Sequence, residues 1–162
     1  MEPIRHGFPP VVDDRSRILV LGSFPSVRSR AEGFFYMHPR NRFWRILSDV
    51  FGADFVGADV NGRIRLLRRY GIALYDVVEE CRVTGSGDAS IRDVVYADIG
   101  ALLAGTKIRR ILLNGTTALR LFKRRQVPFA DLAVGVPSTS PANAATTYED
   151  LLSAWRAALL GR

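Results

Sequence analysis

The chain has one cysteine, Cys81, and two histidines, His6 and His38, among its 162 residues. A lone thiol rules out an internal disulfide and any multi-cysteine zinc or iron–sulfur site, and it agrees with a reducing compartment. Neither histidine has a cysteine or carboxylate at metal-ligand spacing, so no metal and no cofactor is expected. No apolar run reaches the ~18 residues of a membrane span, and the opening MEPIRHGFPP lacks the apolar stretch of a signal peptide, so the expectation is a cytoplasmic protein off the membrane. Ser23 and Ser26 have no evident His–Asp partnership that would make either a nucleophile. Negative charge is also in short supply: 16 Asp and Glu stand against 23 Lys and Arg, a net +7 with a pI near 10.3. That balance suits a polyanion such as nucleic acid, and it equally describes a basic soluble protein.

What is present suffices for one compact domain spanning 1–162, since 48% of the residues are hydrophobic. The stretch from Arg17 to Trp44 orders the rest. Ile18 to Leu21 form a short apolar run rich in branched side chains, the mark of a central strand covered on both faces. It ends in Gly22-Ser23-Phe24-Pro25-Ser26, a turn-forming segment at a strand exit, where open α/β sheets hold their ligands.

Residues 1–15 read as an irregular, Pro-containing arm. Beyond the first loop, Phe43, Trp44, Ile46, Leu47, Val50 and Phe51 recur at helical spacing before Gly52. Arg63 to Tyr70 read as a short basic helix and Ile72 to Val78 as a second strand, followed by a loop over CRVTGSGDASIRD. Asp98 is placed to cap a helix reaching Ala104, and Arg110 to Leu113 form a third strand ending in Asn114-Gly115. A helix over Thr116 to Arg125, with a basic last turn that suits its dipole, leads to a fourth strand at Leu132 to Val136. Thr146 and Glu149 have capping-box spacing ahead of a last helix reaching about Leu160. Strands alternating with helices predict an α/β fold, a mostly parallel four-stranded sheet between helical layers, with all strand exits on one rim. That rim gathers the Gly22 loop, the segment after Val78, Asn114, and the loop from Pro137 to Asn143.

GSFPS followed by YMHPRNRFW, and much later VPSTSPAN, resembles the uracil-DNA glycosylase superfamily, within it most of all the hypoxanthine-DNA (deoxyinosine) glycosylases. The resemblance covers roughly Arg17 to Leu159 and implies a three-layer α/β/α sandwich. HPRNRFW and PSTSPAN together are specific, whereas GSFPS alone is weak. Mismatch-specific uracil glycosylases carry a catalytic Asn just before the loop proline; Phe24 stands there in this chain and cannot orient a water. For the hypoxanthine branch the resemblance puts the catalytic Asn in HPRN, at Asn41, with Asn114 assisting in the pocket. It implies a monofunctional deoxyinosine glycosylase acting on DNA, a monomer by expectation, and no lysine near the site in sequence offers a Schiff base. Uracil or xanthine release, or a DNA-binding module without catalysis, are the alternatives.

The residues have physical readings of their own. Breaking an N-glycosidic bond passes through an oxocarbenium-like sugar and needs a placed water. A neutral amide accepts from water through its oxygen and keeps two N–H donors. Asn41 fits that task, and it equally fits a helix cap; Asn114 equally fits a turn. Tyr36 falls at the resemblance's base-stacking position, and Gly22, Ser23 and Phe24 at the base edge. Phe34 and Phe35 serve either as a stacking platform or as core, whereas Phe43 and Trp44 belong to the core stripe. The loop Ser138 to Asn143 is assigned to the duplex. Pro141 and Ala142 fill the gap left by the extruded base, and Ser138, Ser140 and Asn143, with Ser26 and Arg40, contact the backbone. Arg28, Arg30 and Arg42 are further candidates for phosphate contacts. Asp76 and Asp88 are placed as helpers or as turn residues.

Overall fold

A computed structural model describes residues 2–83, 91–125 and 127–161. Strands β1 (Ile4–Arg5), β2 (Ile18–Gly22), β3 (Ile72–Asp76), β4 (Val78–Arg82), β5 (Arg92–Tyr96), β6 (Arg110–Asn114) and β7 (Ala133–Val136) form two sheets. The helices are α1 (Val27–Glu32), α2 (Phe43–Phe51), α3 (Val60–Tyr70), α4 (Ile99–Leu103), α5 (Thr116–Arg125) and α6 (Tyr148–Leu160).

The main sheet runs β3-β2-β6-β7, every neighbouring pair parallel. Leu19, Val20 and Leu21, Ala73 and Leu74, and Ile111 to Leu113 are wholly inaccessible, which accounts for the unbroken apolar runs: each strand has both faces covered. Helix α2 packs on α6, α6 on β7, α5 on β6 and β7, and α3 beside β3, the sheet-and-helix layering expected from the alternating pattern. Removing one of these buried leucines, as in Leu112→Ala, costs about 2–5 kcal/mol. Because the strands are parallel, Gly22, Asp76, Asn114 and Val136 end on the same rim.

The helix boundaries follow local chemistry. Helix α2 presents Phe43, Trp44, Ile46 and Leu47 to the core and stops at Gly52, whose φ of 65° is open to glycine at little cost. Asp59 caps α3 through the N–H of Gly62, which starts that helix three residues earlier than its basic run suggests. Asp98 caps α4 as expected, accepting from Ala101. The last helix is capped by Thr147, which accepts from Asp150, not by Thr146; Thr146 Oγ1 donates to Asn143 Oδ1 instead.

A second sheet, β1-β4-β5 and antiparallel, departs from the sequence reading. The run Ile72 to Val78 is not one strand. After Asp76 the chain gives the N–H of Val77 to Gly22 O (2.8 Å) and that of Val78 to Ser23 O (3.0 Å), then leaves the main sheet as β4. The supposed loop over CRVTGSGDASIRD thus begins in β4 and ends in β5, while its middle, with Asp88, lies outside the described residues. The N-terminal arm is not irregular throughout: Ile4 pairs with Cys81 and Arg5 with Glu80. The strand placed at Leu132 begins at Ala133, after a 3₁₀ turn over Val127–Leu132.

Candidate active site

A cavity of about 890 Å³ opens on the rim where the parallel strands end. Its wall is made by the first loop from Gly22 to Ser29, the Tyr36 to Asn41 segment, the strand ends Asp76 and Asn114, and the late loop from Ser138 to Ala142. The residues assigned to the site from the sequence line it, except that Phe34, Arg30 and Arg42 do not, Asp88 lies outside the described residues, and Asn143 faces a neighbouring cavity of about 650 Å³ on the other side of the late loop.

Asn41 occupies the turn that feeds α2. The carbonyl of His38 accepts the Asn41 N–H at 2.9 Å and its Nδ1 accepts the Arg40 N–H at 3.1 Å, so His38 holds the turn on both sides of Pro39. Asn41 Oδ1 accepts the N–H of Phe43 at 3.0 Å. Arg42 is the N-cap of α2, and Asn41, one residue earlier, both braces the first turn and lines the cavity: one lone pair of Oδ1 fixes the amide on the helix, and the other lone pair with the Nδ2 donors remains for the cavity.

Tyr36 has φ 54°, a left-handed conformation that costs a non-glycine residue on the order of 1–3 kcal/mol. The strain turns its ring into the cavity and onto Phe43, with centroids 4.3 Å apart. Its hydroxyl points inward and makes no hydrogen bond of ordinary geometry, although Asn114 lies beside it. Burial, reinforced by the charge of Asp76, pushes the phenol well above its ordinary pKa, so it stays a neutral donor. Phe34 and Phe35 are core residues, 4% and 2% exposed, and Phe35 also reaches the cavity wall.

Gly22 is where the walls meet. A Cβ there would collide with Asp76 Oδ1 and lie 3.2 Å from the Tyr36 hydroxyl, so only glycine lets the carboxylate and the phenol converge over the strand end. The carbonyls of Gly22 and Ser23 are committed to Val77 and Val78, and a base edge meets them only through their second lone pairs. Phe24 is half-buried in the cavity wall, beneath the Arg30 guanidinium at 5.6 Å. Ser26 caps α1 by accepting from Ser29, and Ser29 Oγ in turn accepts the Met37 N–H at 3.1 Å, tying the first loop to the aromatic segment.

The late loop is clamped from two sides. Asn114 Nδ2 donates to Thr139 Oγ1 and Asn114 Oδ1 accepts the Thr139 N–H, both at 3.0 Å, with Thr139 fully buried. Arg42, a phosphate candidate by sequence, instead turns its guanidinium inward: Nη1 donates to Thr146 O and Nη2 to Asn143 O, each at 2.8 Å, while its backbone N–H binds Thr139 O at 3.1 Å. Arg28 is paired with Glu32 at 2.7 Å, and Arg40 remains an exposed cation on the cavity rim. Asn143 closes the loop by donating from Nδ2 to Ser138 O at 2.9 Å. Pro141 and Ala142 stand at the tip, and Ser138 and Ser140 Oγ accept backbone N–H groups within the loop. Sequence reasoning missed Thr139, Arg42 as a clamp, and His6, which holds Asp76; only the repeated polar residues of PSTSPAN carried any signal for the first.

Among the described residues no group of three or more His, Cys, Asp or Glu side chains is placed to hold a metal ion. No helix among them is long and apolar enough to cross a membrane.

A rim cavity built from an amide-bearing turn, a strained tyrosine and a clamped serine-proline loop on a parallel α/β sheet defines the class: the chain belongs to the Uracil DNA glycosylase superfamily, whose family model it matches over residues 9–159. The match begins upstream of Arg17 and so takes in part of the arm. Two relatives are each named Hypoxanthine DNA glycosylase. One, from Methanosarcina barkeri (strain Fusaro / DSM 804), is 34% identical over 112 residues, 68% of this chain and 71% of its own. The other, from Methanosarcina acetivorans, is 34% identical over 116 residues, 71% of this chain and 73% of its own. The solution NMR structure of a "putative Uracil DNA glycosylase" from Methanosarcina acetivorans superposes with a TM-score of 0.84 at 30% identity, covering 98% of this chain and 97% of that one.

Proposed function

We propose that the protein is a monofunctional DNA glycosylase that hydrolyses the N-glycosidic bond of a deaminated base, with hypoxanthine in deoxyinosine as its substrate. The observation that carries this reading is the single cavity shared by Asn41, the Gly22 turn and the Ser138 to Ala142 loop. The names of the two relatives support the choice of base.

In this reading the base leaves the duplex stack at a cost of a few kcal/mol. Stacking on the Tyr36 ring returns about 1–3 kcal/mol, and Pro141 and Ala142 occupy the gap in the duplex. Gly22, Ser23 and Phe24 line the base edge. Asn41 Oδ1 holds a water toward the deoxyribose carbon through the lone pair that Phe43 does not use, as positive charge builds on the sugar. Asn114 acts on the pocket through Thr139 and the Tyr36 hydroxyl. Ser26, Arg40, Ser138, Ser140 and Asn143 face the backbone, and the net charge of +7 favours that approach. The protein works as one domain and as a monomer, in the cytoplasm, with no cofactor.

Duplexes carrying inosine, uracil or xanthine, treated with protein and then alkali, test the reading. Strand breaks on inosine support it. Binding without breaks on any of the three overturns it.

A further inference from the structure

The net charge of +7 is not concentrated where the base cavity lies. Of the two arginines that line the cavity, Arg28 is paired with Glu32 at 2.7 Å, and Arg40 alone has no ion-pair partner among the described residues. A denser group of cations stands at the opposite end of the parallel sheet. Arg15 and Arg17 precede β2, Arg68 and Arg69 fall in the last turn of α3 ahead of β3, and Lys107 and Arg109 precede β6; all six are exposed.

Parallel strands gather their starts on one rim as they gather their exits on the other, and the backbone ties these three segments edge to edge. The Arg17 N–H donates to Gly71 O at 2.8 Å, the Arg109 N–H to Arg17 O at 3.0 Å and the Lys107 N–H to Ser16 O at 3.0 Å. The six cations therefore rise from one continuous strip across β3, β2 and β6. Two carboxyl groups belong to the same segments. Asp13 accepts the Arg15 N–H through Oδ1 at 2.9 Å, and its Oδ2 is 3.9 Å from Arg68 Nε, while Asp14 is exposed. Arg17 gives one guanidinium N–H to Tyr70 O at 3.2 Å and keeps the others. The excess of positive charge thus points outward. The strip lies one strand length, roughly 16 Å, from the cavity and faces away from it, so a straight duplex seated at the cavity does not reach it.

Resting on the DNA binding of the proposed function, though not on which base is released, we propose that this rim is a second DNA-binding surface: it holds a separate duplex segment by its phosphates while the cavity rim holds the first. Lys and Arg on phosphate release counterions and read no sequence, which suits a surface that must accept any segment. With both rims occupied, the protein passes from one segment to another without going free in solution. Anionic lipid also attracts clustered Lys and Arg. A lipid surface is the poorer fit, because the exposed large hydrophobic residues Val27, Val56, Val95, Val134 and Leu160 all lie outside these segments and leave no apolar anchor beside the cations.

The test is the stoichiometry of the whole protein with a short undamaged duplex in excess, followed by sedimentation, together with the dissociation of a fluorescent duplex as unlabelled duplex is added. Wild-type protein should take up two duplexes and release the first faster as competitor rises. With about four phosphate contacts, the second binding step should weaken about 100-fold between 50 and 200 mM salt. A variant combining Arg68→Gln, Arg69→Gln, Lys107→Gln and Arg109→Gln should bind one duplex only and dissociate at a rate independent of competitor. Its single-turnover base release from an inosine duplex should match the wild type. Should that variant fail to fold in thermal melts, Arg68→Gln with Arg69→Gln and Lys107→Gln with Arg109→Gln, made as separate pairs, must each weaken the second step. A wild type that binds a single duplex, a folded fourfold variant that still binds two, or anionic vesicles held more tightly than duplex overturns the proposal. Absence of base release from every duplex overturns the proposed function instead, and leaves this surface to be decided by the stoichiometry.

Discussion

Replacing Asn114 with alanine would separate the late loop from the strand that anchors it. Two hydrogen bonds of 3.0 Å disappear, and the Thr139 N–H and hydroxyl are left without their partner in a position sealed from water. Each lost bond is worth about 1 kcal/mol net, and stranding a buried donor adds about 1–3 kcal/mol, so a loss near 3 kcal/mol is expected. For a chain of this length that lowers the Tm by roughly 6 to 12 °C. Thr139→Val removes only the hydroxyl contact and should cost about 1 kcal/mol. Because the two residues share that contact, the double variant should be less destabilised than the sum of the singles, by about 1 kcal/mol. Urea and thermal melts followed by circular dichroism measure all three. Base release should fall along with stability in Asn114→Ala, since Ser138 to Ala142 would no longer be held at the cavity. An Asn114→Ala protein melting within about 2 °C of the wild type, or strictly additive losses, would refute the clamp.

Three further outcomes follow from the same geometry. Arg40→Ala should weaken duplex binding and reduce the salt slope by about one phosphate contact, whereas Arg42→Ala, whose guanidinium grips Asn143 O and Thr146 O, should lower base release with the salt slope unchanged; binding titrations at several salt concentrations distinguish them. Gly22→Ala should fold but lose base release at least tenfold, because the new methyl group meets Asp76 Oδ1 and Tyr36 Oη; wild-type activity in that variant would place the base elsewhere. The phenol of Tyr36 is raised above its unfolded value, so its contribution to stability is full below about pH 10 and is lost as pH rises beyond that; Tyr36→Phe should flatten the alkaline fall in stability seen in melts against pH.

The main sheet was legible because burial on both faces leaves an unbroken apolar run, as at Leu19 to Leu21 and Ile111 to Leu113, and because glycines such as Gly52 end the helices. The second sheet was not. β4 follows β3 after a single residue, so the apolar run at Ile72 to Val78 conceals the change of sheet, and β1 is two residues long with no periodicity to read. Gly22 and Asn114 could be placed at strand exits from the chain alone because each ends an apolar run at a turn-forming signal, whereas Tyr36 and Asn41 were placed at the pocket only by the resemblance of YMHPRN to the superfamily. His6 could not be placed either way, since nothing in a Pro-rich arm marks a histidine that will be buried against Asp76 some 70 residues away. Arg42 was misread for a physical reason as well: a basic side chain beside a presumed pocket suggests phosphate, yet its guanidinium is consumed by two backbone carbonyls brought close only by the fold.

The central claim is that the Asn41 amide, fixed by Phe43, delivers water to the deoxyribose of an extruded hypoxanthine. Free hypoxanthine released from an inosine duplex under single-turnover conditions, measured for the wild type and Asn41→Ala side by side, tests it. Loss of the hydrogen bond to the Phe43 N–H costs about 1 kcal/mol of stability, so Asn41→Ala should remain folded at 25 °C and still bind the duplex while releasing base at least 100-fold more slowly. Release at the wild-type rate from a folded Asn41→Ala would contradict the account.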